Sequence, residues 1–109
     1  MIRGHRGIKM SVYGYCRLAL ADNQEMTRQC KMIADYCETN HLEVDEYFCD
    51  NGASGSNLDR DELQKMFNKL NKGDVIVVKD VTRLTRSIFD YETLQKRISN
   101  IGATIEVVR

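Results

Sequence analysis

The sequence contains no proline and no tryptophan, and only seven of its 109 residues are glycine. This composition argues against a proline-rich linker, a low-complexity segment or a long disordered stretch. The chain also lacks the run of about 18 apolar residues that a membrane-spanning helix needs. Its N-terminal region lacks the apolar core of about 7–15 residues that marks a signal peptide. We therefore expect one soluble globular domain in the cytoplasm, with no membrane partner.

The chain also has no net charge, because 16 basic residues balance 16 acidic ones. The total alone therefore does not indicate a nucleic-acid or membrane partner. The charges are nevertheless segregated along the chain: residues 1–18 contain four basic groups and no acid, and residues 19–62 contain eleven acids and three basic groups. Residues 79–109 contain six basic groups and four acids. If the first and last of these regions meet in the fold, a local basic site forms on a neutral protein.

No Cys-x-x-Cys motif is present, and neither His5 nor His41 lies at zinc-ligand spacing from a cysteine. The four cysteines stand at positions 16, 30, 37 and 49. We interpret them as free thiols of the core in a reducing cytosol, with a disulfide or a metal site as the alternatives. The sequence thus predicts no metal and no cofactor.

The hydrophobic pattern predicts alternating strands and helices. Residues 1–9 show no periodicity, so we expect residues 1–11 to form a disordered leader and residues 12–109 to form the domain. Asp22 and Asp59 are placed to cap the first and second helices, and Ser87 and Gly102 bound the third. The predicted elements are strands at 12–18, 42–48, 75–78 and 104–108, with helices at 22–40, 59–73 and 87–102.

This order indicates an α/β fold with three αβα layers, in which helices cover both faces of a mostly parallel sheet of at least four strands. Ligands of such folds bind beyond the carboxyl ends of the strands. The segments there are Leu18–Asp22, Asp50–Asn57 and Lys79–Arg86. The candidate site residues in or beside these segments are Arg17, Asp50, Ser54, Thr82, Arg83 and Arg86.

Arginine is the residue best suited to bidentate phosphate binding. Arg83 and Arg86 are three residues apart where a strand leads into a helix, so both can face one ligand near a helix N-terminus. Arg17 and Arg60 are placed to join them. Several guanidinium groups around one phosphodiester would stabilise a pentacovalent transition state without a metal ion. The absence of a GxxxxGK[ST] motif argues against a nucleotide-binding P-loop.

Three blocks of sequence resemble, in the same order, the serine site-specific recombinases of the resolvase/invertase family. The first is similar to the family pattern Tyr-x-Arg-Val-Ser that ends in Gln, the second to Asp…Ser-Gly…Asp-Arg, and the third to a strand followed by Arg-Leu-x-Arg. The resemblance spans Val12 to Val108. The blocks are YGYCRLALADNQEMTRQ, FCDNGASGSNLDRDELQKM and GDVIVVKDVTRLTRS.

The resemblance implies that a serine hydroxyl attacks a DNA phosphodiester and forms a 5′-phosphoserine link, with strand exchange in a tetramer of dimer-forming subunits. It implies a bacterial, phage or mobile-element origin and no metal or small-molecule cofactor. The residues that it assigns to the scissile phosphate are Arg17, Arg60, Arg83 and Arg86. It assigns supporting roles to Gln29, Asp50 and Ser54, and it places Thr82 where many members have an acid.

The sequence departs from the family at the nucleophile. Ala19 occupies the position two residues after Arg17, and no serine or threonine lies between Val12 and Met26. A methyl group cannot attack phosphorus, so we expect the chain not to cleave DNA. Ser54 is not an obvious substitute. We also expect weak DNA binding, because the family's long dimerisation helix and separate DNA-binding domain would follow residue 109.

Two alternatives to a disarmed recombinase domain also fit the sequence. The chain is also suited to a regulatory role, in which it pairs with an active recombinase and modulates its tetramer. An unrelated receiver-like phosphate-binding domain is the other alternative. It is disfavoured because the first strand ends in Arg17 and Ala19, where a receiver needs paired acids.

Overall fold

The computed structural model describes residues 10–109, so residues 1–9 of the predicted leader lie outside the described part of the chain. Four strands alternate with three α-helices, and a short 3₁₀ turn at Val81–Arg83 precedes the last helix. The strands are β1 (Val12–Leu18), β2 (Glu46–Asn51), β3 (Val75–Val78) and β4 (Thr104–Val107). The helices are α1 (Asn23–Thr39), α2 (Asp61–Lys69) and α3 (Ile88–Ile101).

The sheet has the order β2-β1-β3-β4, and all of its neighbouring strands are parallel. Successive side chains of a strand point to opposite faces. Tyr13 and Tyr15 of β1 therefore join the apolar cluster that α2 and α3 complete, whereas Val12 and Cys16 join the cluster that α1 completes. The predicted three-layer parallel α/β fold is confirmed. Within residues 10–109, no helix is long and apolar enough to cross a membrane.

Strand β2 begins later than the sequence predicts. It was expected at residues 42–48 but runs from Glu46 to Asn51, because Tyr13 of β1 pairs in register with Glu46. Just before it, Asp45 binds the start of β1: its amide donates to the Val12 carbonyl at 2.8 Å, and its carboxylate accepts from the Val12 amide at 2.8 Å. Because the strand also ends later, at Asn51, Asp50 lies within the strand rather than in the following loop.

The helix boundaries follow local capping rules in two cases out of three. The Asp22 carboxylate accepts from the amides of Gln24 and Glu25 at the start of α1, and the Ser87 hydroxyl accepts from the Asp90 amide at the start of α3. Gly102 ends α3 in the left-handed conformation with φ of 93°, as predicted. The prediction that Asp59 caps α2 is wrong, because the carboxylate of Asp50 in β2 accepts from the amides at the start of this helix.

Candidate functional site at the carboxyl edge of the sheet

The loops that follow β1, β2 and β3 meet at one edge because these three strands are adjacent in the sheet. Arg17, near the end of β1, connects this strand to the loops after β2 and β3 through its guanidinium group. Its Nη1 donates to the Ala53 carbonyl at 3.0 Å, its Nη2 to the Thr82 carbonyl at 2.7 Å and its Nε to the Arg83 carbonyl at 3.1 Å. With 1% of its surface exposed, Arg17 is an internal brace of the site in this conformation.

Hydrogen bonds also hold the backbone of Arg17. The Arg17 amide donates to Oε1 of Gln29 at 3.1 Å, and Nε2 of Gln29 donates back to the Arg17 carbonyl at 3.3 Å. Nη1 of Arg83 donates to the same carbonyl at 3.2 Å. Burial lowers the pKa of Arg17, and the nearby charge of Arg60 lowers it further. Gln29 thus positions the end of β1 from the first turns of α1.

A buried polar network lies next to this brace. Nη1 of Arg60 donates to the Tyr15 hydroxyl and to the Arg83 carbonyl, both at 2.9 Å, and the Tyr15 hydroxyl donates to Oδ2 of Asp50 at 2.7 Å. Arg60 also donates to the carbonyls of Asn57 and Leu84, and only 3% of its surface is exposed. Burial, together with the hydrogen bond to Asp50, raises the pKa of the Tyr15 phenol, so it remains a neutral donor.

Asp50 joins this network to helix α2. Its Oδ1 accepts from the Glu62 amide and its Oδ2 from the Leu63 amide, both at 3.0 Å. Two amides that lack a partner within the helix are thereby satisfied, and the carboxylate faces the positive end of the helix dipole. Asp59, which the sequence predicted for this role, is exposed and lies outside the helix.

Gly55 allows a close approach of backbone and side chains within the site. A Cβ atom at this position would lie 2.7 Å from Nη2 of Arg17 and 2.9 Å from Cγ of Arg86. The Gly55 carbonyl also accepts from the Arg86 amide at 3.0 Å, which fixes the loop after β2 against the start of α3. The absence of a side chain here therefore brings the two arginines together.

The cationic surface of the site comes from Arg83 and Arg86. The Arg83 side chain is 21% exposed, and its Nε lies 3.4 Å from Oδ2 of Asp80 without the alignment of a hydrogen bond. Arg86 is exposed, and in the described part of the chain no carboxylate forms an ion pair with it. These two guanidinium groups are the ones that a ligand in solvent reaches first.

Asp80 orders the loop that carries these arginines. Its Oδ1 accepts from the Thr82 amide at 3.0 Å and from the Thr82 hydroxyl, and it caps the 3₁₀ turn. Burial would raise the pKa of Asp80, but the hydrogen bonds from Thr82 and the charge of Arg83 outweigh it, so its pKa is lowered. Thr82 thus serves the turn through its hydroxyl and the brace through its carbonyl.

Ala19 is exposed at the end of β1, so its methyl group faces solvent beside the site. The Ser54 hydroxyl, which the sequence also singled out, is exposed and lies 2.7 Å from the Ser56 hydroxyl. The structure therefore gathers all nine predicted residues around one edge, but it divides them between buried braces and exposed groups. Sequence reasoning assigned no role to Tyr15, Gly55 or Asp80. The role of Tyr15 could have been inferred, because it lies two residues before Arg17 and therefore on the same face of β1.

The parallel sheet, its two helical layers and the arginine cluster at its carboxyl edge are the features expected of a serine recombinase catalytic domain. The sequence model of the family described as "Resolvase, N terminal domain" matches residues 12–109. The chain belongs to this family.

The relatives and solved structures agree with this assignment. A resolvase of Clostridium perfringens is 33% identical over 96 residues, which cover 88% of this chain and 48% of that protein. The transposon Tn1546 resolvase of Enterococcus faecium is 31% identical over 100 residues, covering 92% of this chain and 48% of that protein. The chain thus spans about half the length of these relatives.

Two solved structures show the same fold. The catalytic domain of ISC1926 TnpA, an IS607-like serine recombinase, has a TM-score of 0.79 at 27% identity, covering 92% of this chain and 68% of that one. The N-terminal catalytic domain of TP901-1 integrase has a TM-score of 0.81 at 21% identity, covering 90% of this chain and 77% of that one. At that lower identity the likeness concerns the fold alone.

Proposed function

We propose that this chain is the catalytic domain of a serine site-specific DNA recombinase that has kept its phosphate-binding edge and lost its nucleophile. The observation that carries the proposal is Ala19, an exposed methyl group two residues beyond the braced Arg17. The fold supports the proposal because it matches that of the family, and the arginines that the resemblance assigns to the scissile phosphate lie around the same edge, so the missing hydroxyl would be a local change in an otherwise assembled site.

The family reaction explains why one atom matters. A serine oxygen attacks the DNA phosphorus and releases the 3′-hydroxyl of the broken strand, which takes up a proton as the serine loses one. The charge that develops on the phosphoryl oxygens is stabilised by guanidinium groups. Ala19 offers no lone pair for the attack, so this chain performs no first step and forms no phosphoserine.

The arginines would contribute in two ways. Arg83 and Arg86 are placed to contact a DNA phosphate directly, because their side chains reach solvent. Arg17 and Arg60 donate to backbone carbonyls in this conformation, so a direct phosphate contact by either requires those hydrogen bonds to be exchanged. Gln29, Asp50 and the other supporting groups would hold the arginine-bearing loops in place.

Restoring the hydroxyl tests the proposal. The chain would be joined at Arg109 to the segment that follows the matched region in the C. perfringens resolvase, and compared with the same chimaera carrying Ala19→Ser. Both would be incubated with supercoiled plasmid bearing the site of that resolvase. We expect a covalent protein–DNA adduct with Ala19→Ser and none with alanine.

The native C. perfringens resolvase serves as the positive control for DNA and conditions. If the Ala19→Ser chimaera is folded and binds the DNA but forms no adduct, the chain does not hold a latent active site. If the alanine chimaera itself forms an adduct, the proposal that it is disarmed is wrong, and Ser54→Ala would show whether that residue is the nucleophile.

A specific observation also favours a non-catalytic partner role. At the start of α3, beside the arginine cluster, Ile88 and Phe89 are 76% and 83% exposed. Exposed large apolar side chains next to one another are typical of surfaces that bind proteins. The second candidate function is therefore pairing with an active recombinase in a dimer or tetramer.

Mixing the chain with a full-length resolvase tests this second function. A mixed oligomer in size-exclusion chromatography with light scattering, lost with Phe89→Ser, would support it. A strictly monomeric chain that never enters the oligomer would contradict it. The exposed Met32→Ser change on the opposite side of the sheet serves as the matched control.

A further inference from the structure

Three of the four thiols converge on the face of the sheet that α1 covers. Cys16 of β1 and Cys49 of β2 are register partners in neighbouring strands, and Cys30 reaches them from α1. The Sγ atoms of Cys16 and Cys30 are 3.7 Å apart, and those of Cys30 and Cys49 are 3.6 Å apart. All three Sγ atoms lie within 4.8 Å of one another. We call Cys16, Cys30 and Cys49 the thiol cluster.

The spacing along the sequence hides this cluster, because its members are 14 and 19 residues apart. No Cys-x-x-Cys pair brings them together; the parallel register of β1 and β2 and the packing of α1 do so. Cys37, two helical turns beyond Cys30, is buried in the apolar cluster under α1 and is not one of the three.

The separations of 3.7 and 3.6 Å fit the geometry of a shared metal ion, and the third pair of sulfurs lies within 4.8 Å. Zinc–thiolate bonds are about 2.3 Å long, and tetrahedral coordination at that length places sulfur atoms about 3.8 Å apart. A disulfide would need about 2.05 Å between two of the sulfurs and would leave the third unused. We propose that the thiol cluster is a binding site for one divalent thiophilic ion of the Zn²⁺ class.

The charge of the thiolates and the solvent exposure of the cluster further define which ion would bind. Three thiolates with a divalent ion leave a net charge of minus one, whereas a monovalent ion would leave minus two in a partly buried place, which costs more free energy. Cys16 is fully buried, but Cys30 and Cys49 are partly exposed. The ion therefore has an entry path. A water molecule or a thiol from the buffer would complete its tetrahedral coordination as the fourth ligand.

The cluster lies directly behind the phosphate-binding edge. Each of its thiols is next in sequence to a residue of that site: Cys16 to Arg17, Cys30 to Gln29 and Cys49 to Asp50. An ion held by all three would cross-link β1, α1 and β2. Since metal binding to the native state alone stabilises that state, the midpoint of thermal unfolding should rise when the ion is added.

Cobalt provides a visible probe for this site and needs no DNA. The fully reduced 109-residue chain, free of metal and oxygen, would be titrated with Co²⁺ and then with Zn²⁺. We expect thiolate-to-cobalt charge-transfer bands and strong tetrahedral d–d bands that saturate at one equivalent. One equivalent of Zn²⁺ should bleach them, and the thiol protons should be released to the buffer.

Cys30→Ala and Cys49→Ala should abolish these bands, and Cys37→Ala is the matched control that should keep them. Circular dichroism would show that each variant is folded. Cys30 is on a helix, where alanine is well tolerated, so this variant keeps the test informative if Cys49→Ala does not fold. Protection of Cys30 and Cys49 from alkylation by one equivalent of Zn²⁺, measured on the unmodified chain, is the second readout.

Three results would overturn the proposal: no saturable binding at one equivalent, a pale octahedral cobalt spectrum without charge transfer, or a titration that Cys30→Ala leaves unchanged. A chain that forms a disulfide in air and still binds no metal after reduction would overturn it as well.

Discussion

Gly55 has no room for a side chain within the site. A Cβ atom there would overlap Nη2 of Arg17 and Cγ of Arg86. Arg17 has little freedom to move, because three carbonyls hold its guanidinium group. The packing of this loop therefore depends on one missing side chain.

We expect Gly55→Ala to lower the free energy of unfolding by about 1–3 kcal/mol, the usual cost of overpacking. Urea unfolding followed by circular dichroism measures it. Ser56→Ala, at an exposed position of the same loop, is the control and should change stability by less than about 0.5 kcal/mol. Equal stability of the two variants would mean that the Arg17 brace is looser than its hydrogen bonds indicate.

Asp80 gives the protein a stability component that depends on pH. Its pKa is lowered in the folded state from the ordinary value of 3.8. A group with a lowered folded pKa stabilises the protein above its unfolded pKa, and this stabilisation is lost as the pH falls through the folded pKa. Asp80→Asn should therefore destabilise the protein at neutral pH and have a smaller effect well below pH 3.8. Urea midpoints at both pH values would check this, and a constant difference would contradict it.

At the scale of elements, helix α2 depends on a carboxylate that belongs to a strand. Oδ1 of Asp50 accepts from the Glu62 amide, and Oδ2 accepts from the Leu63 amide and the Tyr15 hydroxyl. An asparagine has only one acceptor oxygen, so Asp50→Asn leaves at least one of these buried donors without a partner.

We expect Asp50→Asn to cost about 1–3 kcal/mol of stability, as for other buried donors that lose their acceptor. Asp59→Asn is a demanding control, because the sequence favoured Asp59 as the cap while the structure leaves it exposed. A larger loss at Asp59 than at Asp50 in urea unfolding would show that the local capping rule was correct after all.

At the scale of the whole molecule, a chain without net charge is proposed to bind DNA at one basic edge. Few phosphate contacts are available there, so binding should be weak and should weaken further with salt, each contact adding about 0.9 to the slope of log affinity against log salt. Fluorescence anisotropy with labelled duplex DNA measures this slope. Tight, sequence-specific binding at physiological salt would contradict the expectation.

Arg86→Ala should reduce the salt slope by about one, because the side chain is exposed beside the site. Arg28→Ala removes the same charge from α1, where the side chain is 64% exposed and pairs with Glu25, and should leave the slope unchanged. Equal effects of the two variants would indicate diffuse attraction rather than a defined phosphate site.

The amino-acid sequence by itself determined the order of the elements, the parallel α/β class and the caps at Asp22, Ser87 and Gly102. These features depend on residues within a few positions of one another, through periodicity and helix-end hydrogen bonds. The resemblance of the three blocks to the serine recombinases also came from the sequence, and the family match confirmed it.

Only the tertiary structure decided which charged groups are buried. The Arg17 guanidinium donates to carbonyls as many as 66 residues away in the chain. Asp50 rather than Asp59 accepts from the first amides of α2, and the thiol cluster joins two strands and a helix. Each of these depends on strand register and on which face of the sheet a side chain takes. Such partners lie far apart in the chain, so local patterns carry no information about them until the sheet is assembled.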